Sequence, residues 1–243
     1  MYIPRIYQAN NFQLGNTLTL SREAANHLTR VLRLRVDDKF ILFNGRGGEF
    51  AASIVVIHKN EVVAKIEQFT PKDIESQLYL HLGQGISRGE KMDYVIQKAT
   101  ELGVKKISPL ITEHCGVKLS TERWNKKLQH WQTVAIAACE QCGRNEIPLI
   151  TEPMILTSWL NNLDADLKFI CDPGATVSLN SYQEQVKSVA LLIGPESGFT
   201  EAEIYLAQQN GCNLLKLGPR ILRTETAAIA AMTAMQVHFG DMG

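Results

Sequence analysis

Apolar and polar positions follow one rhythm up to about residue 72 and another from Leu78 onward. In the first stretch, residues 21–33 place Ala24, Ala25, Leu28, Val31 and Leu32 on one face, the spacing of a short amphipathic helix. Residues 39–43, 50–57 and 62–69 read as strands. Asn44-Gly45 is a hairpin-turn signal and Lys59-Asn60-Glu61 a second turn. These elements predict a small, mostly β module ending near Thr70-Pro71. Residues 71–77 are polar, contain a proline and read as a linker.

From Leu78 the pattern becomes strand then helix, repeatedly. Residues 78–82 read as a strand, and Ser87-Arg-Gly-Glu90 has the form of a capping box opening a helix. That helix carries Met92, Val95, Ile96, Ala99 and Leu102 as one stripe and stops at Gly103. A strand over 107–112 follows, then a long helix marked by Trp124, Leu128, Trp131, Ala135 and Ala138 that ends near Gly143. Strands are predicted at 167–171 and 189–193. Thr200-Glu-Ala-Glu203 is a second capping box, whose helix stops at Gly211. Alternating strands and helices imply an α/β domain with a mostly parallel sheet.

The most informative stretch is 214–232. A short buried strand, Leu214–Leu217, breaks at Gly218-Pro219, and a helix that is apolar on nearly every side begins at about Ala227. Between them lie Arg220, Arg223 and Thr224-Glu225-Thr226. Two other strands exit in the same manner, into Asp172-Pro-Gly174 and Gly194-Pro-Glu-Ser-Gly198. In a parallel sheet such loops gather at one edge and offer backbone groups to a flat polar ligand. Gly83-x-Gly85-x-x-x-Gly89 resembles a dinucleotide fingerprint, but its last spacing is one residue too long and no suitable acidic residue follows. No phosphate-binding P-loop sequence is present.

Composition changes this picture little. The 243 residues have a net charge of zero, but residues 1–72 hold ten Lys/Arg against six Asp/Glu. That basic excess suits an anionic partner for the first module. The five cysteines, Cys115, Cys139, Cys142, Cys171 and Cys212, are odd in number, and Cys139-Glu-Gln-Cys142 has no second pair to complete a metal site. Structural thiols are expected, with no metal. No run of about 18 apolar residues suggests a membrane span, and the opening residues lack a signal-peptide pattern, so a cytoplasmic protein is expected.

Several separated motifs carry a resemblance: Ile3-Pro-Arg-Ile-Tyr7, His81-Leu-Gly-Gln84, Ser87-Arg-Gly-Glu-Lys-Met92, Ala137-Ala-Cys-Glu-Gln-Cys-Gly-Arg144, Ile193-Gly-Pro-Glu-Ser-Gly198 and Leu217-Gly-Pro-Arg-Ile-Leu-Arg-Thr-Glu-Thr226. Together they resemble the SPOUT class of S-adenosylmethionine methyltransferases, and within it the ribosomal RNA small subunit methyltransferase E family. The resemblance implies an α/β fold with a mostly parallel sheet and a deep trefoil knot over residues 73–243. It also implies a smaller PUA-like RNA-binding β barrel over residues 1–72. The implied activity is methylation of N3 of a uridine in 16S ribosomal RNA of the small subunit by a homodimer. The alternative is a non-catalytic RNA-binding assembly factor.

The resemblance places the cofactor, S-adenosylmethionine, on Asp172, Pro173, Ile193, Gly194, Pro195, Glu196, Gly198, Leu217, Gly218, Ile221, Leu222, Arg223, Thr224 and Thr226. Ser197 departs from the family's usual glycine and would strain the loop if that position needs a positive φ. The acceptor nitrogen must lose a proton, so charge develops on its flanking carbonyl oxygens, and an arginine there would stabilise it. Arg223 is the first candidate and Arg5 the second. Glu196 and Glu225 are proton acceptors or loop braces. Arg22, Arg30, Arg33 and Arg35 are the expected phosphate contacts.

Overall fold

The computed structural model describes residues 3–59, 61–116 and 120–243. Two compact units emerge. The first runs to Glu75 and also takes in Cys139–Ile147, and the second comprises Ser76–Ala138 with Pro148–Gly243. No helix among the described residues is long and apolar enough to cross a membrane.

The first unit is a five-stranded sheet of β1 (Arg5–Tyr7), β2 (Thr17–Thr19), β3 (Lys39–Phe43), β4 (Glu49–His58) and β5 (Glu61–Thr70), in the order β1-β3-β4-β5-β2. Among the described residues of this unit, only β1 and β3 pair in parallel. Its core joins Phe40, Leu42, Ala52, Ile54, Ala64 and Ile66 to Ala24, Ala25 and Leu28. The helix expected over 21–33 is shorter. α1 (Arg22–Asn26), capped by the Ser21 hydroxyl, passes into a π-helical turn over His27–Val31, and Arg33 takes φ 57°. The Asn44-Gly45 signal opens a loop of residues 44–48 rather than a two-residue turn.

This unit also explains why Cys139–Ile147 belongs with it. The Arg5 guanidinium donates to the Asn145 Oδ1 at 2.7 Å and the Arg144 carbonyl at 3.2 Å, and it ion-pairs with Glu49. Asn145 donates to the Lys72 carbonyl. The Arg144 guanidinium donates twice to Glu75 Oε2, at 2.9 and 2.7 Å, with both side chains buried. The Tyr7 amide donates to the Glu140 carboxylate, whose pKa burial raises. Cys139 is a free buried thiol, pushed up to about 12 chiefly by burial.

The second unit is built on a parallel sheet of β6 (Tyr79–Gly85), β7 (Lys106–Ile111), β8 (Leu149–Ile150), β9 (Met154–Ile155), β10 (Leu167–Cys171), β11 (Ser188–Ile193) and β12 (Asn213–Leu215). The order is β12-β10-β11-β6-β7-β8, with β9 also on β7. Every pairing is parallel. β6 and β11 lie in the middle, which is why both are almost wholly buried; β11 is apolar after Ser188, whereas β6 also buries His81 and Gln84. Its helices are α2 (Lys91–Glu101), α4 (Leu156–Asn161), α5 (Glu201–Gln209), α6 (Thr224–Phe239) and α3 (Thr121–Cys142), the last up to Ala138, since its closing residues from Cys139 belong to the first unit.

One expectation is corrected here. The Thr200–Glu203 capping box forms on α5, but the Ser87–Glu90 box does not. The Ser87 hydroxyl turns back to the Gly85 carbonyl, and α2 starts at Lys91 without a side-chain cap. The Gly83/Gly85 pattern serves packing. A Cβ on Gly83 would stand 2.6 Å from the Trp159 ring, and one on Gly85 would stand 2.5 Å from Pro195.

Trp159, on the unforeseen helix α4, donates its indole N–H to His81 Nε2 at 3.2 Å. Ser108 Oγ lies 2.9 Å from the same nitrogen. An indole can only donate, so His81 Nε2 accepts and the neutral ring carries its proton on Nδ1. Burial, with a smaller push from Lys106, lowers the His81 pKa to about 3. The folded value lies below the ordinary 6.5, so the stability that neutral His81 supplies is complete above pH 6.5 and is lost as pH falls toward 3. Between pH 7 and pH 5 the loss is about 2 kcal/mol. Urea unfolding of the wild type and His81→Gln at both pH values should show the gap between them narrowing by that amount at pH 5. Parallel pH dependence would mean that the folded protein protonates His81 freely.

Candidate functional site

The parallel register sets β10 beside both β11 and β12, so their carboxyl ends leave the sheet side by side. Each exit loop has its own local support. After β10, Asp172 Oδ1 accepts the Gly174 amide at 2.7 Å, while the Asp172 amide continues the ladder to the Leu215 carbonyl. After β11, the Gly198 amide closes a turn onto the Pro195 carbonyl at 3.0 Å, and Gly198 takes φ 73°. Ser197 is not among the residues with positive φ, so it fits this turn without strain, and its hydroxyl reaches the His114 carbonyl at 3.4 Å. After β12, Gly218 takes φ 92° and the chain runs through Arg223 into α6.

A single hydroxyl joins these loops to the central strand. Thr224 Oγ1, in the first turn of α6, donates to the Gly194 carbonyl and accepts from Gln84 Nε2 at 2.9 Å. Gln84 is fully buried at the end of β6 and directly opposes Ile193 in the sheet. The α6 N-terminus is therefore held against the β11 loop from below. At its other end, α6 is held by buried Gln236, which donates to the Leu102 carbonyl and accepts from Ser76 Oγ at 2.8 Å each.

The three loops enclose a cavity of about 330 Å³. Of the expected cofactor residues, Asp172, Pro173, Ile193, Gly194, Pro195, Glu196, Gly198, Leu217, Gly218, Ile221, Leu222 and Thr224 line it. Arg223 and Thr226 do not, and both are exposed beside the α6 N-terminus. Cys171, Ser197, Phe199, Leu215, Arg220 and Ala227 complete the wall. Cys171 and Leu215 are the last residues of their strands, a position that would have found them. Phe199 carries no such sign and enters only through the turn that precedes it.

Charge at the rim is well defined. The Glu196 carboxylate accepts the Arg88 amide at 3.0 Å and lies 3.4 Å from the Lys91 ammonium. Partial burial raises its pKa, but the backbone N–H groups and Lys91 outweigh that and hold it below the usual carboxylate value. Glu196 thus stays ionised and braced, which suits a loop brace better than a base. Burial, reinforced by Asp172, pushes Cys171 up to about 12, so the thiol in the wall is neutral. Arg5, the second arginine candidate, is committed within the first unit to Glu49, Arg144 and Asn145, and stacks 4.9 Å from the Phe43 ring centroid. Its guanidinium is thus engaged within the fold of that unit. Arg22, Arg30, Arg33 and Arg35 are all exposed along α1, the π-helical turn and the loop after it.

Similarity to known proteins falls on both units. The profile of the RNA methyltransferase domain matches residues 74–236, and that of the RNA methyltransferase PUA domain matches residues 20–67. Ribosomal RNA small subunit methyltransferase E of Buchnera aphidicola (subsp. Schizaphis graminum) is 41% identical over 241 residues, covering 99% of this chain and 98% of the relative. The Bacillus subtilis protein of the same name is 30% identical over 90% of this chain and 89% of its own length. Among solved structures, a Legionella pneumophila protein in complex with bound SAM superposes with a TM-score of 0.97 at 44% identity, covering 99% of this chain and 100% of that one. Ribosomal RNA small subunit methyltransferase E from Neisseria gonorrhoeae, bound to S-adenosyl methionine, superposes with a TM-score of 0.93 at 36% identity, each chain covered in full. With relatives this similar along nearly its whole length, the chain belongs to the ribosomal RNA small subunit methyltransferase E family.

Proposed function

We propose that this protein transfers a methyl group from S-adenosylmethionine to N3 of a uridine in 16S ribosomal RNA. The observation that carries the reading is the cavity closed by three strand-exit loops, in a chain whose solved relatives hold this cofactor. The lining fits such a guest. Its volume lies within the range of small-molecule sites, roughly 300–1,000 Å³. Ile193, Leu217, Ile221 and Leu222 would cover the faces of an adenine, and the backbone of the glycine-proline loops would meet its edge. The Asp172 carboxylate suits the ammonium of the amino-acid end. When bound, the cofactor's sulfonium supplies an already activated methyl group.

The chain's own task is then alignment and charge. Holding donor and acceptor together converts an encounter into an intramolecular event, which can account for much of the rate. As N3 gives up its proton, negative charge spreads to the neighbouring carbonyl oxygens. Arg223 stands at the N-cap of α6, between wall residues Leu222 and Thr224, and its exposed guanidinium is the cation for that charge. N3 lies on the Watson–Crick edge, so the uridine reacts unpaired or flipped out. Arg22, Arg30, Arg33 and Arg35 hold the phosphate backbone. The reading includes a knotted C-terminal domain and a cytoplasmic homodimer. A second copy would cover apolar surface such as Val237, which is 51% exposed.

Small subunits from cells lacking this protein, incubated with it and labelled cofactor, should gain one methyl group that mass analysis of nucleosides identifies as 3-methyluridine. Labelled cofactor that binds without any transfer would favour an assembly factor. Arg223→Ala should lower turnover on the order of 10²-fold while cofactor affinity, read by calorimetry, changes little. Undiminished turnover removes Arg223 from the mechanism. Reversing Arg22, Arg30, Arg33 and Arg35 to Glu should weaken RNA binding and flatten the log–log salt dependence by about 0.7–0.9 per lost phosphate contact. An unaltered slope assigns the RNA surface elsewhere.

A further inference from the structure

We propose that Lys91 is a positioning residue for the cofactor cavity: its ammonium draws together the carboxylates of Glu196 and Glu225, one from each of two walls. The proposal rests on reading the cavity as the S-adenosylmethionine site. Lys91 opens α2 and does not line the cavity itself. Its Nζ lies 3.4 Å from Glu196 Oε1, in the loop after β11, and 3.9 Å from Glu225 Oε2, in the first turn of α6. Glu196 borders the cavity directly, and Thr224 and Ala227 flank Glu225 in the opposite wall. Glu225 Oε2 is buried and has no hydrogen-bond partner among the described residues, so Lys91 is the group that offsets its charge.

The energetic logic is one of opposed carboxylates. Two anions converging on one point repel each other, and the repulsion grows as water is excluded. A cation between them reverses the sign and makes approach favourable. The Arg88 amide, in the turn just before α2, adds a second anchor for Glu196 at 3.0 Å. Below the rim, Thr224 already bonds the Gly194 carbonyl. Lys91 thus latches on the outside the same two walls that Thr224 joins on the inside. Loss of the ammonium would leave the inner bond to hold the walls against the repulsion of the rim.

The test uses the full-length protein. Lys91→Met should raise the S-adenosylmethionine Kd about tenfold. Lys91→Arg should return it to within about threefold of wild type. Lys91→Met combined with Glu225→Gln should recover most of the loss, because the repulsion is gone. In the ligand-free protein, Lys91→Met should also speed amide hydrogen exchange in residues 194–198 and 218–226. The idea fails if Lys91→Met binds cofactor as tightly as wild type or more tightly. It fails equally if neither the Lys91→Arg replacement nor removal of the Glu225 charge restores binding, since Lys91 would then act by packing. A wild-type protein that binds no S-adenosylmethionine sinks the functional reading instead. The exchange rates of the ligand-free protein would still decide the latch: accelerated exchange upholds it and unaltered exchange rejects it.

Discussion

The hydrogen-bonded pairing of β10 with β11 on one side and β12 on the other is the constraint on which the site depends. In a parallel sheet, neighbouring strands end on the same edge, so three chain exits far apart in sequence become neighbours. The central position of β11 demands a wholly apolar strand, and Val189–Ile193 supplies one. What leaves the edge must turn sharply to keep a space open. Proline and glycine at each exit do this, with Gly198 and Gly218 taking the positive φ that a side chain would resist. The site is therefore a consequence of the sheet order, with the loops adding shape to a position that the strands have already chosen.

Polar groups around the edge are arranged so that each wall is tied to another element. Thr224 and Gln84 connect α6, the β11 loop and β6 through two hydrogen bonds. Glu196 connects the same loop to the start of α2. Ionised groups sit at the rim, where water shares the cost of their charge, whereas burial pushes the His81 pKa down and the Cys171 pKa up and so keeps both of these neutral. Within the first unit the opposite solution appears. Arg5 with Glu49 and Arg144 with Glu75 are buried charges that persist because each is paired. Removing one partner of such a pair would strand the other without solvent.

Much of this architecture is legible in the chain before it folds. Strands β3, β10 and β11 lie within a residue of the positions their apolar runs mark, and the Thr200–Glu203 pattern becomes a closed capping box. Local chemistry dictates such features, because apolar runs must be buried and a hydroxyl three residues before a glutamate satisfies the first turn of a helix. Three-residue strands such as β1 and β2 carry too few positions for a period to register. α4 has six residues and no side-chain cap, so nothing local announces it, yet its Trp159 fills the space that Gly83 leaves open. The Ser87–Glu90 pattern matches the α5 box in letters, but Ser87 faces the Gly85 carbonyl instead.

The sequence by itself determined the two kinds of module, the strand–helix alternation, the three proline-bearing exits and most of the residues that wall the cavity. These depend on burial and backbone stereochemistry, which act over a few residues. Tertiary structure alone decided that β10 lies between β11 and β12, that Arg5 is consumed by Asn145, Arg144 and Glu49, that Ser197 escapes strain, and that Lys91 faces two carboxylates more than a hundred positions downstream. Those outcomes follow from which segments meet across the sheet, and a side chain's charge or shape does not reveal its partner until that meeting has taken place.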